Sequence, residues 1–221
     1  MHDITLDKDI LEINKKIAAN NRKILDSHGI LAVNIMGAIG SGKTLLIEKV
    51  AKKMQVDYRI GIIAGDVISE LDAERLKRVC KNVIGINTGK ECHLDAHLIS
   101  HALKKMKLSE IDILFIENVG NLICPVDFDL GAHKNVTVVS VSEGDDTILK
   151  HPMIFLTSDA AIINKIDIAK ALDSDPEKMK NDALKINPNL KVFLTSVKKD
   201  IGIDDFISWL ENCYKSLCHG L

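Results

Sequence analysis

The 221-residue chain has only four prolines, at positions 125, 152, 176 and 188, and no stretch rich in proline, glycine or serine. A flexible linker between domains is therefore not expected, and the length suits one α/β domain. No apolar run approaches the roughly 18 residues of a membrane span. The Met1 end is acidic and polar where a secretory signal would be basic and then apolar, so the chain reads as cytoplasmic, with no membrane partner. A formal charge of −2 gives no basic footprint, and nucleic acid is not among the expected partners. The five cysteines are odd in number and irregularly spaced, which excludes a disulfide framework and leaves reduced thiols, metal ligands or inert packing. Cys80, Cys213 and Cys218 have ordinary contexts, and helical patterns around the first two suggest small buried or half-buried thiols. Cys92 and Cys124 stand apart, as argued below.

What is present is the composition of a globular chain, 46% apolar and 27% charged. From Asp7 to Leu25 the residues Ile10, Ile13, Ile17 and Ile24 recur at roughly helical spacing, predicting an amphipathic lead-in helix that ends near Ser27-His28-Gly29. Seven short apolar runs read as strands: Ile30–Met36, Arg59–Ala64, Val83–Ile86, Ile111–Ile116, Val136–Val141, Ala160–Ile163 and Lys191–Leu194. Most read as buried on both faces. Between them lie helical patterns such as Thr44–Met54 and Ser69–Val79, and Ile203, Phe206, Ile207, Leu210 and Tyr214 share one closing stripe. Alternation of this kind needs crossovers and gives a mainly parallel, roughly seven-stranded sheet. Residues 1–28 are expected to form a helix packed on a domain spanning 29–221.

After the first strand comes Gly37-Ala38-Ile39-Gly40-Ser41-Gly42-Lys43-Thr44, which fits G-x-x-x-x-G-K-[ST] at every fixed position and opens a helix. Phosphates carry dense negative charge, so backbone N–H groups must converge on them, and glycines let the chain bend closely enough to aim those donors. The helix adds its positive end. Lys43 can reach the β- and γ-phosphates, and the Thr44 hydroxyl can take a place on Mg²⁺.

Asn164-Lys165-Ile166-Asp167 follows the sixth strand and resembles the N-K-x-D element of the GTPase superfamily. A carboxylate at Asp167 accepts from the N1–H and exocyclic amine of guanine, a donor pair that adenine lacks. Asn164 would brace the loop and Lys165 would lie over the base. Thr195-Ser196-Val197-Lys198 occupies the place of a Ser-Ala-Lys-like loop, so Ser196 and Val197 join the expected base contacts. Asp66 follows the second strand, and Glu117-Asn118-Val119-Gly120 stands where the superfamily shows D-x-x-G, with Glu in place of Asp. Carboxylates at the C-terminal ends of strands point to the ligand crevice of open α/β sheets, which makes Asp66 and Glu117 candidates for Mg²⁺. Gly120 could donate its N–H to the γ-phosphate. Asn121 occupies the place of a water-orienting glutamine one methylene longer, so slow intrinsic turnover is expected.

Between these segments, His93, His97 and His101 are spaced i, i+4, i+8, and on a helix they would share one face with Cys92 at its start. Thiolate and imidazole suit Zn²⁺, and together they also serve Ni²⁺. Cys124 lies a few residues beyond Glu117 and Gly120, in a loop that GTP hydrolysis would rearrange. If Cys92, His93 and Cys124 hold one ion, metal affinity and nucleotide state are linked in both directions.

The motifs G-A-I-G-S-G-K-T, N-T-G-K-E-C-H-L-D-A, E-N-V-G-N-L-I-C-P and S-V-S-E-G-D-D together resemble those of the hydrogenase nickel-incorporation GTPase (HypB) family, over nearly the whole chain. The resemblance implies a SIMIBI-type P-loop GTPase that binds GTP and GDP with Mg²⁺ and forms a GTP-dependent homodimer. It implies nickel delivery to the large-subunit precursor of nickel–iron hydrogenase, with a metallochaperone of the HypA type as partner. It also makes Cys92, His93 and Cys124 the Ni²⁺ or Zn²⁺ ligands, with His97 an extra one for zinc. The chain departs from many relatives in that residues 1–29 contain no cysteine and only His2 and His28, so nickel storage by this segment is not expected.

Two other enzyme classes and one carrier class compete. A urease-maturation GTPase would show Cys-Pro-His where this chain has Cys92-His93 directly adjacent. A small-molecule kinase would use ATP, against which Asn164 and Asp167 argue. A metal carrier whose nucleotide site only gates dimerisation would show no multiple turnover.

Overall fold

The computed structural model describes residues 3–65, 75–89 and 92–220. Seven strands form one sheet: β1 Leu31–Gly37, β2 Ile60–Gly65, β3 Asn82–Ile86, β4 Ile113–Glu117, β5 Lys134–Ser140, β6 Ala160–Asn164 and β7 Lys191–Leu194. Their order is β3-β2-β4-β1-β5-β6-β7, and every adjacent pair is parallel. Because β1 is flanked by β4 on one side and β5 on the other, the chain reverses its direction of travel across the sheet there. A crevice opens at such a switch point, beyond the carboxyl ends of the strands.

Side chains of successive strand residues face opposite sides, and the core divides accordingly. Leu31, Val33 and Ile35 of β1 and Ile113 and Phe115 of β4 pack on one face with α2 (Lys43–Met54) and the closing helix, here α7 (Ile203–Gly220). Ala32, Leu114 and Ile116 pack on the other with Leu25 of α1 (Asp3–Ser27) and with α3 (Ala96–Lys105). A third cluster joins β5 and β6 to α4 (Thr147–Lys150), α5 (Pro152–Leu156) and α6 (Pro176–Ile186). Burying one such Leu, Ile or Phe contributes about 1.5–3 kcal/mol, so the two covered faces hold the strands in register. The outer strands β3 and β7 are the exceptions to burial on both faces: they lie at the sheet edges and are mostly half-buried.

The lead-in helix ends at Ser27, as its sequence suggests, and Gly29 at φ +65° turns the chain out of it. Ile30 N–H reaches back to Leu25 O at 3.0 Å and Gly29 N–H to Asp26 O at 3.0 Å, which closes the last turn. The helix is fastened from the side by polar bonds. Asn14 donates to Asp129 O, Asn21 to Ala96 O and Leu130 O, and Arg22 to Gly131 O and Ala132 O. Of the predicted helix Ser69–Val79, residues 69–74 lie outside the described residues.

One expectation is corrected here. Asp95, in extended backbone at φ −118°, caps α3 and accepts the Leu98 N–H on its side chain at 2.7 Å, so the helix begins at Ala96. Cys92 and His93 therefore lie in the turn before it, and the three histidines do not share a helical face. The Asp95 side chain captures a free N–H of the first turn, and that capture outweighs the regular spacing of the histidines.

Candidate nucleotide and metal site

The loop from Gly37 to Thr44 curls over the carboxyl end of β1, and its glycines are required by contact as well as by backbone angle. Gly37 adopts φ +146°, and a Cβ there would stand 2.1 Å from Val138 O. Gly42 adopts φ +104°, where a Cβ would meet Asn164 Nδ2 at 2.4 Å. Lys43 is buried, and its Nζ donates to Gly37 O at 3.0 Å and Ala38 O at 2.9 Å, which folds the ammonium back across the loop mouth. Ser41 Oγ is buried without a hydrogen-bond partner. Thr44 Oγ1 donates to Glu117 Oε1 at 2.5 Å. A hydroxyl and a carboxylate brought together at the loop's end are hard oxygen donors of the kind Mg²⁺ takes. Asp66, the other acid expected there, lies outside the described residues.

On the far side of the crevice, β6 and β7 end in the loops expected to contact the base. Asn164 Nδ2 donates to Ser41 O at 2.9 Å, and its Oδ1 accepts from Val197 N–H at 3.1 Å and the Thr195 hydroxyl at 3.2 Å. One buried side chain thus ties the phosphate loop to both base loops. Lys165 holds the left-handed conformation at φ +63°, and its Nζ donates to Ser142 Oγ at 3.3 Å. Ser196 Oγ donates to Asp167 Oδ1 at 2.6 Å, which orients the carboxylate. Val197 contributes its backbone N–H to that brace.

The S-V-S-E-G-D-D stretch forms the turn after β5. Ser140 and Glu143 make a reciprocal capping box, with Ser140 N–H donating to Glu143 Oε1 at 2.9 Å. Burial pushes the Glu143 carboxyl above the usual carboxylate range, against the bond from Ser140 and the pull of the Lys165 and Lys43 ammoniums.

The structure gathers Cys92, His93 and Cys124, whose donor atoms all lie within 4.8 Å of one another. Cys92 Sγ is 3.7 Å from His93 Nδ1, and the His93 ring stacks on Phe128 at 3.8 Å between centroids. Cys124 opens a single tight turn, Cys124–Val126, with Pro125 next to it. Two sulfurs and one imidazole fit a tetrahedral ion and leave one position of its shell for another donor. His97 is not in this group: its ring packs edge-on against His101 at 4.5 Å on α3.

The metal trio and the phosphate loop share the segment after β4. Gly37 and Asn121 form an antiparallel bridge, and a Cβ on Gly120 would stand 2.3 Å from Ile39 Cγ1. Asn121 Nδ2 in turn donates to Cys92 O at 3.4 Å.

Sequence reading gave no role to Asn34, Asn14, Asn21 or the Asn118 side chain, all buried and all bonded across elements. One signal was present: an asparagine in the middle of the apolar strand Leu-Ala-Val-Asn-Ile-Met-Gly, where a buried amide has to find partners.

A parallel sheet with a phosphate loop at its switch point and an N-K-x-D loop beside it defines a SIMIBI-type P-loop GTPase. Residues 31–194 match the family described as CobW/HypB/UreG, nucleotide-binding domain. The chain is 56% identical over 210 residues to a probable hydrogenase maturation factor HypB of Methanocaldococcus jannaschii, covering 95% of each. It resembles the crystal structure of HypB from Archaeoglobus fulgidus with a TM-score of 0.87 at 51% identity, covering 92% of this chain and 99% of that one. The crystal structure of HypB from Helicobacter pylori in complex with nickel also gives a TM-score of 0.87, at 35% identity, covering 92% of this chain and 95% of that one. The chain belongs to the CobW/HypB/UreG family, and within it to the HypB hydrogenase maturation factors.

Proposed function

We propose that this chain hydrolyses GTP with Mg²⁺ and uses the nucleotide state to hold and release nickel for the large-subunit precursor of nickel–iron hydrogenase. The observation that carries the proposal is that the donors of Cys92, His93 and Cys124 lie within 4.8 Å of one another beside Asn121, which donates to Cys92 O and bridges to Gly37 of the phosphate loop. Lys43 and the loop N–H groups hold the β- and γ-phosphates, and Asp167 with Ser196 reads guanine. Thr44 and Glu117 hold Mg²⁺, with Asp66 at the adjacent strand end. The Gly120 N–H faces the γ-phosphate. Asn121 is too short to orient the attacking water as a glutamine would, and slow turnover follows.

Nickel is the cargo. Cys92, His93 and Cys124 supply three donors for Ni²⁺ or Zn²⁺, and a second copy of the chain across a two-fold axis completes the shell, so that GTP-dependent homodimerisation and metal binding reinforce each other. A HypA-type metallochaperone supplies or receives the ion, in the cytoplasm, and the helix of residues 1–28 stays packed on the GTPase domain of residues 29–221. No helix among the described residues is long and apolar enough to cross a membrane.

The test is the double substitution Cys92→Ala, Cys124→Ala, followed by anaerobic nickel titration and by GTP binding. Stoichiometric nickel binding should disappear while GTP affinity stays near that of the unaltered chain. Nickel binding that survives in the double variant would end the assignment.

A further inference from the structure

We infer that Asn118 is the positioning residue through which the phosphate side of the site governs the placement of Cys92 and His93. It stands between Glu117, which receives the Thr44 hydroxyl, and Gly120, which lies against Ile39 of the phosphate loop. Its side chain is 1% exposed and makes three hydrogen bonds. Oδ1 accepts the Leu94 N–H at 3.1 Å and the Val119 N–H at 2.9 Å, and Nδ2 donates to Asn34 Oδ1 at 3.2 Å. Asn34 then donates to Asn135 Oδ1 at 3.0 Å, and the Asn118 backbone N–H donates to Ile35 O at 2.9 Å. Two N–H groups facing Oδ1 leave the amide a single orientation, because a flipped amide would oppose donors to donors.

Leu94, the residue after His93, is the recipient of this arrangement. Its side chain is fully buried, with Cδ1 2.9 Å from where a Cβ on Gly65 would stand, so it packs over the end of β2 on the face shared with Ile63 and Ile116. On its other side Asn14 accepts the Ala96 N–H at 2.8 Å and Asn21 donates to Ala96 O at 2.8 Å. The limb carrying Cys92 and His93 is thus held at Ala96 by α1 and at Leu94 by Asn118, which belongs to the segment that lies against the phosphate loop. A shift of residues 117–120 on loss of the γ-phosphate must carry the Leu94 amide with it or leave buried N–H groups without an acceptor, and the latter is costly. The second connection, from Asn121 to Cys92 O, is longer at 3.4 Å and exposed, and transmits less.

This inference rests on the reading of the two sites as coupled, and the experiment separates the two. Nickel titrations of the full chain, with GDP and with a non-hydrolysable GTP analogue, are read by the thiolate-to-nickel charge-transfer band and by calorimetry. The unaltered chain should show an analogue-to-GDP ratio of nickel affinity of about 5–150-fold, the range for coupled sites. Asn118→Ala should bring that ratio to one while the charge-transfer band persists. Asn118→Asp keeps an acceptor for the Leu94 and Val119 N–H groups but loses the donor to Asn34 Oδ1, and should restore the ratio in part. Equal weakening of both nucleotide states in Asn118→Ala, with the ratio kept, overturns the inference and leaves a merely structural role. A ratio of one in the unaltered chain overturns the coupled reading and the inference with it. If Asn118→Ala does not fold, hydrogen exchange at the Leu94 amide of the unaltered chain decides: protection that differs between the two nucleotides supports the inference, and identical protection overturns it.

Discussion

The phosphate cradle and the metal trio both lie beyond the carboxyl ends of the strands, and they are built by different means. In the cradle, Lys43, Ser41 and Asn164 are buried, and Gly37 and Gly42 meet neighbours that exclude any side chain. In the trio, Cys92 is exposed and His93 and Cys124 are half-buried, on loops whose fixed points lie at Leu94, Ala96 and Asn121. The first is preorganised for one ligand shape, as stabilising a phosphoryl transition state requires. The second holds its donors near one another on exposed and half-buried loops, which suits the proposed release of an ion. A rigid site next to a more exposed one, with a shared segment between, is how a small change at a phosphate can be read at a metal.

Substitutions in the rigid site should have the largest effects. Lys43→Ala removes the ammonium that spans the loop mouth, and single-turnover GTP hydrolysis should fall by about 100-fold or more, the scale of one lost transition-state donor. Nickel binding in the presence of GDP should survive, since no donor of the trio is touched; its loss would erase the distinction between the two regions.

An intermediate effect is expected at Asp167. Asp167→Asn replaces the carboxylate proposed to accept from guanine and should weaken GTP binding by about 1.5–3 kcal/mol, the value of a hydrogen bond to a charged group. Xanthosine triphosphate, which offers an acceptor where guanine offers its amine, should bind the variant better than the parent. Competition binding with both nucleotides measures this, and an unchanged preference would remove Asp167 from the base contacts.

The smallest effect concerns His133, which is bonded to Asp26 near the end of the helix that holds the metal limb at Ala96. Burial holds His133 below the ordinary imidazole value despite its bond to Asp26, with the Arg22 and Lys134 charges also opposing protonation. Its Nδ1 accepts the Ala32 N–H at 3.0 Å, so the neutral ring carries its proton on Nε2, 2.8 Å from Asp26 Oδ1. The unfolded chain protonates this residue near pH 6.5 and the folded chain only at lower pH. Across that window the unfolded state binds more protons, so stability falls as pH drops below about 6.5 and is unaffected by His133 above it. Urea unfolding at pH 7.5 and 5.5 should show a lower midpoint at the acid pH, and His133→Gln should flatten the difference. A midpoint rising toward pH 5.5 would contradict the assignment.

Much of the rigid region was legible in the sequence because its constraints are local. Gly37 to Thr44 carries its own backbone angles and its own helix start, and Asn164 to Asp167 sits directly on a strand end. The trio was legible as one ligand set through the resemblance of its motifs and not from local pattern, since Cys92 follows β3 and Cys124 follows β4, and the sheet brings the two strand ends together through β2. The histidine spacing gave the wrong local geometry there, because a short-range cap at Asp95 overrides a periodicity that has no core to face. Asn118 could not have been given its role, because its three partners come from residues 34, 94 and 119, and only the folded sheet brings 34 and 94 together.

The most direct measurement of the central claim is the affinity of the chain for a non-hydrolysable GTP analogue with and without one equivalent of bound nickel. Linkage requires nickel to change that affinity by the same factor by which the analogue, relative to the nucleotide-free chain, changes nickel binding. A matching factor is the predicted result, and an analogue affinity indifferent to nickel would contradict it.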